Sequence, residues 1–344
     1  MVPVKKLALL GFGNAGQAFA KMLLQKHEDI KQLYGYDVIV TAIATNSKGN
    51  LVDASGIDLK EALDDLENCG KFCNEAQLTK MSTIEIVKEA DYDVLVEMTP
   101  LNIFTGQPAI EHIETAFDRR KDAITANKGP IAWKFKALRD RAKEQGVKFF
   151  FETTVMDGTP VFNFAEKTLQ MAKVTEVSGI LNSTTNFILE ELAAGAEYDD
   201  IMARGREMGF IEADPAMDIE GYDAAAKITA LLNVLMDADI TPDLVDRKGI
   251  EDITVEDIKA AADRGNVIKL LCKGTRDEAG NVKASVKPEE VPKGDMLASI
   301  DSTTSVVSIT TDLMKTVSVV EHQPEIEQTA YGVFGDVLRV LSEK

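Results

Sequence analysis

Residues 6–16 read KLALLGFGNAG, an apolar run that ends in a glycine-rich turn. The run predicts a short buried strand, and the periodicity of residues 16–26 predicts a helix directly after the turn. Gly11, Gly13 and Gly16 form a G-x-G-x-x-G motif, in which the glycines allow a tight turn, the approach of a pyrophosphate and close helix packing. The stretch therefore predicts dinucleotide binding. The alternative is a glycine-rich turn in a domain without a ligand.

The alternation of short strands and helices continues through the first 150 residues. Further strands are predicted at 38–44, 93–98, 122–125 and 147–153, and helices at 84–89, 109–120 and 134–145. Such alternation indicates βαβ units on a parallel sheet. We therefore predict an α/β fold in which residues 1–150 form a doubly wound, Rossmann-type dinucleotide-binding domain.

Beyond residue 150 the pattern changes to helices mixed with strands. A long helix is predicted at 222–236, strands follow near 267–273, 282–286, 306–310 and 317–320, and a helix at 329–341 comes last. This pattern predicts an α+β substrate-binding domain over residues 151–320. The remaining C-terminal segment, residues 321–344, is predicted to pack back on the cofactor domain.

Charge and cysteine content exclude several classes of partner. The 38 basic and 57 acidic residues give a net charge of −19, which disfavours nucleic acid and anionic membranes as partners. The three cysteines are too few for the disulfide framework of a secreted protein. The apolar runs are shorter than the ~18 residues of a membrane span. We therefore expect a cytoplasmic protein that acts on a small molecule, with no nucleic acid and no membrane partner.

Residues 44–48, which follow the second predicted strand, read ATNSK. An Asp or Glu at this point would bind the ribose 2′-hydroxyl of NAD, and this stretch has neither. Asn46, Ser47 and Lys48 instead offer donors to a 2′-phosphate, so NADP is favoured and NAD stays possible. The alternative is that Lys48 is a solvated loop residue.

Residues 125–129 read TANKG and directly follow a predicted strand. Ligands of open α/β sheets bind off the carboxyl ends of strands, so Lys128 is predicted where nicotinamide and substrate meet. Taken alone, the segment would favour a lysine on a surface loop. The complete set of predicted cofactor-binding residues is Gly11, Gly13, Asn14, Ala15, Gly16, Asn46, Ser47, Lys48, Thr99, Pro100 and Lys128.

The segment 209–236 reads GFIEADPAMDIEGYDAAAKITALLNVLM. Four acids lie within nine residues before a predicted helix, at Glu212, Asp214, Asp218 and Glu220. Asp223 and Lys227 follow at i and i+4 on one helix face. An exposed, salt-bridged helix is the alternative, but a helix that is apolar nearly all round is typically buried. Because a buried ion pair is costly without partners, this pair is predicted to face a pocket.

Oxidation of an alcohol by NAD(P)⁺ requires a group that takes up the hydroxyl proton. Histidine is the usual base, but none of His27, His112 and His322 stands at a plausible position in the sequence. Burial and a neighbouring cation both lower the pKa of a lysine, so Lys128 and Lys227 are the predicted proton carriers. The acids before the helix would suit a substrate that bears an ammonium group.

At these residues the chain resembles the homoserine dehydrogenases. The matching motifs are GFGNAG, the Asn127–Lys128 pair, residues 152–160, GILNSTTNFIL at 179–189 and GxxxGFIEADPxxDIxGxDAAAK at 205–227. The resemblance implies reversible NAD(P)H-dependent reduction of L-aspartate 4-semialdehyde to L-homoserine, in threonine and methionine biosynthesis. It also implies a homodimer assembled through a β-rich region of the second domain. Since the sequence ends at Lys344, we expect the short form without a kinase or C-terminal regulatory domain.

The resemblance also implies roles for individual residues. Lys128 and Lys227 match lysines that contact the reacting oxygen and handle its proton, and Asp223 matches the acid that assists Lys227. Substrate contacts are implied for Glu212, Asp218 and Thr184. A sodium ion is implied at Glu152, Val155, Asp157 and Thr159, where one glutamate and backbone carbonyls would hold it.

Some positions depart from the family pattern. Met156 and Asp157 replace small residues, Ser183 replaces a glycine beside the substrate, and residues 323–325 replace a glycine-rich loop that borders the cofactor. The altered loop suggests an alternative function, that of a catalytically silent NADP-binding sensor. A second alternative is a dehydrogenase that acts on another small amino acid. Retention of both lysines argues against a silent protein, because a mere binder needs no proton carriers.

Overall fold

The computed structural model describes residues 2–211 and 214–343, so the predicted substrate residue Glu212 lies outside the described residues. The chain divides into two compact units. The first comprises Met1–Pro160 together with Glu325–Lys344, and the second is Val161–Pro324. None of the described helices is both long enough and apolar enough to span a membrane.

The first unit is built on a seven-stranded sheet with strand order β4-β3-β2-β1-β5-β6-β7. Its elements are β1 Val4–Leu10, α1 Asn14–Tyr34, β2 Asp37–Ala44, β3 Asn50–Val52, α2 Leu59–Cys69, β4 Leu78–Thr79, α3 Thr83–Glu89, β5 Val94–Glu97, α4 Ala109–Asp118, β6 Asp122–Thr125, α5 Lys128–Gln145 and β7 Phe149–Phe150. β1 pairs in parallel with β2 on one side and β5 on the other, and β6 and β7 continue the parallel part. The predicted doubly wound, Rossmann-type fold is confirmed.

Alternate residues of β1 show why both faces of this sheet are covered. Leu7 and Leu9 are fully buried in one core cluster together with residues of α1, α2 and the C-terminal helix. Ala8 and Leu10 are buried in a second cluster with residues of α3, α4 and α5. A strand buried on both faces is apolar without interruption, as Leu7–Leu10 of β1 is.

The sequence prediction differs from the structure at the end of this unit. Residues 147–153 are predicted as one strand, but only Phe149–Phe150 is a strand, and Glu152–Thr154 is a 3₁₀ turn. The backbone N–H of Glu152 donates to Asp336 Oδ2 at 2.9 Å, so a side chain far along the chain fixes this turn. The edge strands β3 and β4, which pair antiparallel, were also not predicted.

The second unit contains a six-stranded, mainly antiparallel sheet with strand order β13-β12-β8-β10-β11-β9. Its elements are α6 Val161–Thr168, β8 Val174–Ile180, α7 Ser183–Ala193, α8 Tyr198–Glu207, α9 Ala216–Ile219, α10 Tyr222–Met236, β9 Asp246–Arg247, α11 Val255–Asp263, β10 Asn266–Arg276, β11 Val282–Pro292, β12 Ser305–Thr311 and β13 Lys315–Glu321. Helices and a second sheet of this kind make an α+β unit, as predicted.

Helix α10 packs on β8, β10 and β11 of this sheet. Gly274 of β10 makes that approach possible, because a Cβ at this position would lie 2.2 Å from the Leu232 side chain. Ten of the fifteen residues of α10 are buried, as its nearly continuous apolar sequence predicts. The last helix of the chain, α12 Ile326–Ser342, belongs to the first unit and packs along α1.

Candidate active site

The glycine-rich turn lies between β1 and α1, at the carboxyl ends of β1 and β5. Gly11 has φ +92°, and a Cβ on it would lie 2.3 Å from the Met98 carbonyl oxygen. A Cβ on Gly16 would lie 2.7 Å from the Gly11 carbonyl oxygen, whereas at Gly13 it would meet no atom within 4 Å. At Gly11 and Gly16 any side chain would collide with the protein's own backbone, so glycine is required there. At Gly13 the space that a side chain would occupy is open.

The same turn presents the N-terminus of α1. Gly13 is the N-cap residue, and no side chain caps the first turn of the helix. The N–H groups and the positive end of the dipole at such a terminus bind phosphate. The open space at Gly13 and the uncapped helix together fit a dinucleotide pyrophosphate. Asn14 and Ala15, both predicted at the cofactor, begin this helix.

Lys48 is tied to the glycine-rich turn. Its Nζ donates to the Phe12 carbonyl at 2.9 Å, and its backbone N–H donates to Thr45 Oγ1 at 2.9 Å. Asn46 and Ser47 are exposed in the same loop after β2. The Lys48 ammonium therefore lies beside the glycine-rich turn and is hydrogen-bonded to it.

A buried carboxylate stands at the carboxyl end of β5. Glu97 is fully buried and accepts hydrogen bonds from the Thr99 N–H at 3.0 Å, the Thr99 hydroxyl and the Thr125 hydroxyl at 3.0 Å. Asn127 Nδ2 donates to the Thr99 carbonyl at 3.1 Å, and Asn127 Oδ1 accepts from the Gly129 N–H. Two neighbouring strand ends are thus joined by one polar network.

Lys128 is the first residue of α5, directly after its N-cap residue Asn127. The sequence predicts a helix from residue 134, and the structure has a kink in α5 at Lys134, with φ −150°. Lys128 begins the part of α5 before this kink, which the sequence does not predict. Thr99, predicted at the cofactor, is part of the network that fixes Asn127.

Two buried residues at this place, Glu97 of the network and His112 beside it, are not predicted from the sequence. Glu97 reads as the end of an apolar strand, although a charged residue at that point of a buried strand was itself a signal. His112 was set aside as a mid-helix residue, yet it is buried and its Nδ1 lies 3.9 Å from Glu97 Oε1. No periodic pattern connects α4 with the end of β5.

In the second unit, the predicted i,i+4 pair forms an ion pair at the start of α10. Lys227 Nζ lies 2.9 Å from Asp223 Oδ2 and donates to the Leu181 carbonyl at 2.8 Å. The Lys227 and Asp223 side chains are 20% and 14% exposed, so the ion pair is largely buried but can still be reached from solvent. That burial favours the predicted pocket over the salt-bridged surface helix.

Asp218 joins this pair through Asn182, which the sequence analysis did not single out. Asn182 Nδ2 donates to Asp218 Oδ1 at 2.6 Å and to Asp223 Oδ2 at 2.9 Å. Asp214, from the same run of acids, instead accepts a local hydrogen bond from the Ala216 N–H at 3.1 Å. The structure therefore brings Asp218, Asp223 and Lys227 together.

The electrostatics of this cluster centre on Asp218. Burial raises the pKa of the Asp218 carboxyl, and the Asp223 carboxylate raises it further. Hydrogen bonds from Asn182 and Thr184 and the charge of Lys227 oppose this rise. Thr184, a predicted substrate contact, is buried near the start of α7 and thus bonds to a second predicted substrate residue.

The segment predicted to hold sodium forms a tight turn in the first unit. Met156 and Asp157 have φ of 58° and 48°, and the Asp157 carboxylate accepts from the Thr329 hydroxyl at 2.6 Å. Glu152 is buried at the start of this segment. No cluster of three or more His, Cys, Asp or Glu suited to a metal occurs within residues 2–211 and 214–343.

Two family models cover most of the chain. Residues 11–152 match the NAD-binding domain of homoserine dehydrogenase, and residues 160–338 match the homoserine dehydrogenase domain. The homoserine dehydrogenase of Methanocaldococcus jannaschii is 37% identical over 341 residues, which is 98% of each chain. An NAD(+)-dependent homoserine dehydrogenase of Pseudomonas canavaninivorans is 31% identical and covers 97% of this chain and 96% of its own.

A solved structure shows the same architecture. The solved structure of a hyperthermophilic archaeal homoserine dehydrogenase in complex with NADPH matches with a TM-score of 0.82 and 26% identity. The match covers 98% of this chain and 97% of the other. Both units of the fold therefore have their counterpart in one protein.

Proposed function

The chain belongs to the homoserine dehydrogenase family, and from this premise we propose how its residues carry out the reaction. It is an NAD(P)-dependent oxidoreductase that acts on the CH–OH group of L-homoserine, in the reversible reaction with L-aspartate 4-semialdehyde. The observation that carries this conclusion is the half-buried Asp223–Lys227 pair with Asp218 beside it. Nothing in the comparisons favours a silent sensor or another amino acid substrate.

The direct test is reduction of NAD(P)⁺ by the purified protein. L-Homoserine should give turnover, and L-serine, L-threonine and 4-aminobutan-1-ol should give much less, because an ammonium group and a chain of the right length must both be matched. Dinucleotide binding without turnover would indicate the sensor, and a preference for another amino alcohol would indicate a different dehydrogenase.

We propose that Lys227 handles the proton of the reacting hydroxyl. When bound, the nicotinamide accepts or returns the hydride. Lys227 Nζ is fixed by the Asp223 carboxylate and the Leu181 carbonyl, so its remaining freedom is small. The Asp223 carboxylate holds Lys227 Nζ in place at 2.9 Å, and we propose that Nζ donates its proton to the aldehyde oxygen during reduction. Lys128 is proposed for the same oxygen on the strength of the family resemblance.

Substrate binding is proposed for Asp218, Thr184 and Glu212. Asn182 Nδ2 donates a hydrogen bond to Asp218 Oδ1 at 2.6 Å, and the Thr184 side chain donates another to the same carboxylate. The Asp218 carboxylate therefore has a fixed place beside the ion pair. A buried carboxylate binds an ammonium or hydroxyl group strongly, because charge-assisted hydrogen bonds are the strong ones.

The cofactor is a nicotinamide dinucleotide, and we propose that it is NADP. The support is Lys48, held at the Phe12 carbonyl, together with the lack of an acid in residues 44–48. One relative is named as NAD(+)-dependent and the structure of another is in complex with NADPH, so both dinucleotides occur in the family.

Lys48→Ala should therefore weaken NADP more than NAD. The 2′-phosphate loses one charge-assisted hydrogen bond, which corresponds to roughly a tenfold or greater rise in Kd. Fluorescence titration with each dinucleotide measures the effect, and Lys143→Ala, at the far end of α5, is the matched control. Equal affinities for the two cofactors, unchanged by Lys48→Ala, would contradict NADP preference.

Three further properties are proposed from the resemblance. Sodium at Glu152, Val155, Asp157 and Thr159 would have oxygen donors only, which suits a hard cation. Because Thr329 engages the Asp157 side chain, the Asp157 carbonyl would be the ligand. We also propose a homodimer assembled through the sheet of the second unit, and a cytoplasmic location.

A further inference from the structure

Asn182 has every hydrogen-bonding position of its side-chain amide engaged. It is 4% exposed and is the N-cap residue of α7. Its Oδ1 accepts from the backbone N–H of Thr185 at 2.9 Å and from the Thr185 hydroxyl at 2.9 Å. Because an amide carries one acceptor oxygen and one donor nitrogen, this fixes Nδ2 on the opposite side.

That nitrogen joins two carboxylates of like charge. Nδ2 donates one proton to Asp218 Oδ1 and the other to Asp223 Oδ2. The same Oδ2 of Asp223 pairs with Lys227 Nζ at 2.9 Å. Two neighbouring carboxylates repel each other, and one of them takes up a proton unless donors stabilise both charges.

We propose that Asn182 is a positioning residue for the reaction, bridging the carboxylates of Asp218 and Asp223 so that Lys227 and the substrate site keep their working geometry. The inference rests on the proposed roles of Asp223 and Lys227. Helix capping alone would need only the oxygen of the amide; the two donations from its nitrogen serve the acids.

The charged surroundings of Asp218 give the proposal a pH signature. Asp223 and Lys227 face Asp218 from α10, and Asn182 and Thr184 face it from α7. Cys272 on β10 lies near Lys227, but burial raises the pKa of its thiol to about 12, so it is neutral. Loss of the Asn182 donations removes a group that lowers the pKa of Asp218. The Asp218 carboxyl is then protonated at a higher pH than in the wild-type protein.

Two substitutions separate the two uses of the amide. Ser and Asp cap helices about as well as Asn, so Asn182→Ser and Asn182→Asp both keep the bond to the Thr185 N–H. Asn182→Ser removes the donations without new charge, and Asn182→Asp replaces them with a third carboxylate. We expect kcat to fall about tenfold to a hundredfold in Asn182→Ser, and further in Asn182→Asp. In both variants, the fall of kcat at acidic pH should begin at a higher pH than in the wild-type protein.

Thr254→Ala is the matched control in the same unit. Thr254 caps α11 through the Asp257 N–H at 3.1 Å and has no contact with the cluster, so its loss should lower Tm but leave kcat and the pH profile unchanged. Circular dichroism and NADP titration establish that each variant is folded and binds cofactor. If Asn182→Asp fails to fold, the kcat and pH profile of Asn182→Ser decide the matter.

The outcomes distinguish this proposal from the proposed function. If the folded Asn182 variants retain wild-type kcat and the wild-type acidic limb, Asn182 is only a helix cap and the proposal is overturned. A wild-type kcat in Lys227→Ala would instead overturn the assigned role of the ion pair. Reduced kcat with an unshifted acidic limb would also count against the bridge, since loosened packing alone explains it.

Discussion

Lys227→Ala is expected to lower kcat with L-homoserine by about 10²–10⁴, because loss of a positioned proton carrier costs that much in rate. The substitution suits α10, which already carries three consecutive alanines before position 227. It leaves the Asp223 carboxylate without its cation, but Asn182 still donates to it at 2.9 Å. The folded protein and its affinity for NADP should therefore be retained while turnover is lost.

Stopped-flow or steady-state assays of NADP⁺ reduction, combined with Tm and NADP titration, measure this effect. Lys273→Ala is the control, because Lys273 is an exposed lysine of β10 paired with Glu176 at 3.5 Å. Its removal changes the net charge equally and should leave kcat unchanged. Wild-type turnover in Lys227→Ala would remove Lys227 from the mechanism, whatever the result for the control.

The Lys227–Asp223 pair was predictable because helical spacing is a local property. Residues at i and i+4 meet on one helix face wherever the helix lies. The apolar remainder of α10 also predicted its burial, and the predicted bounds, 222–236, match those observed. Hydrophobic pattern and residue spacing are sufficient to predict a feature that depends on a single helix or strand.

The contacts of Asn182 with the two carboxylates could not be predicted from local spacing. Its bonds to Asp218 and Asp223 span 36 and 41 positions and exist only because the start of α7 comes to lie beside α9 and α10. An asparagine before a helix is read from sequence as a cap, and that reading accounts for half of its hydrogen bonds. The other half is a product of tertiary structure.

The strand predicted at 147–153 is too long, because only Phe149–Phe150 is a strand, and the difference has a similar cause. Three consecutive phenylalanines, at 149–151, favour a strand by composition. Phe151 packs instead edge-on against Phe135 of α5, with ring centroids 5.2 Å apart, and the Glu152 N–H bonds to Asp336 of α12. A tertiary hydrogen bond from the last helix thus outweighs local propensity.

Glu212→Gln is expected to raise KM for L-homoserine about tenfold to a hundredfold, the equivalent of one hydrogen bond to a charged group. Glu212 lies outside the described residues, so its role rests on the family motif and on the position of Asp218 six residues later. If the two carboxylates bind the ammonium group and the hydroxyl end of the substrate, neutralising one of them lowers the affinity for the substrate and leaves the affinity for the dinucleotide unchanged. Kd for NADP should therefore stay near the wild-type value.

Asp214→Asn provides the matched control for Glu212→Gln. It removes one negative charge from the same run of acids, at a side chain whose Oδ1 accepts a hydrogen bond from the Ala216 N–H. Because the side-chain oxygen of Asn can accept the same hydrogen bond from the Ala216 N–H, the variant should keep both KM and Kd. A comparable rise in KM in Asp214→Asn would mean that the net charge of the loop attracts the substrate. Equal weakening of homoserine and NADP in Glu212→Gln would mean that Glu212 supports the fold and does not bind the ammonium group.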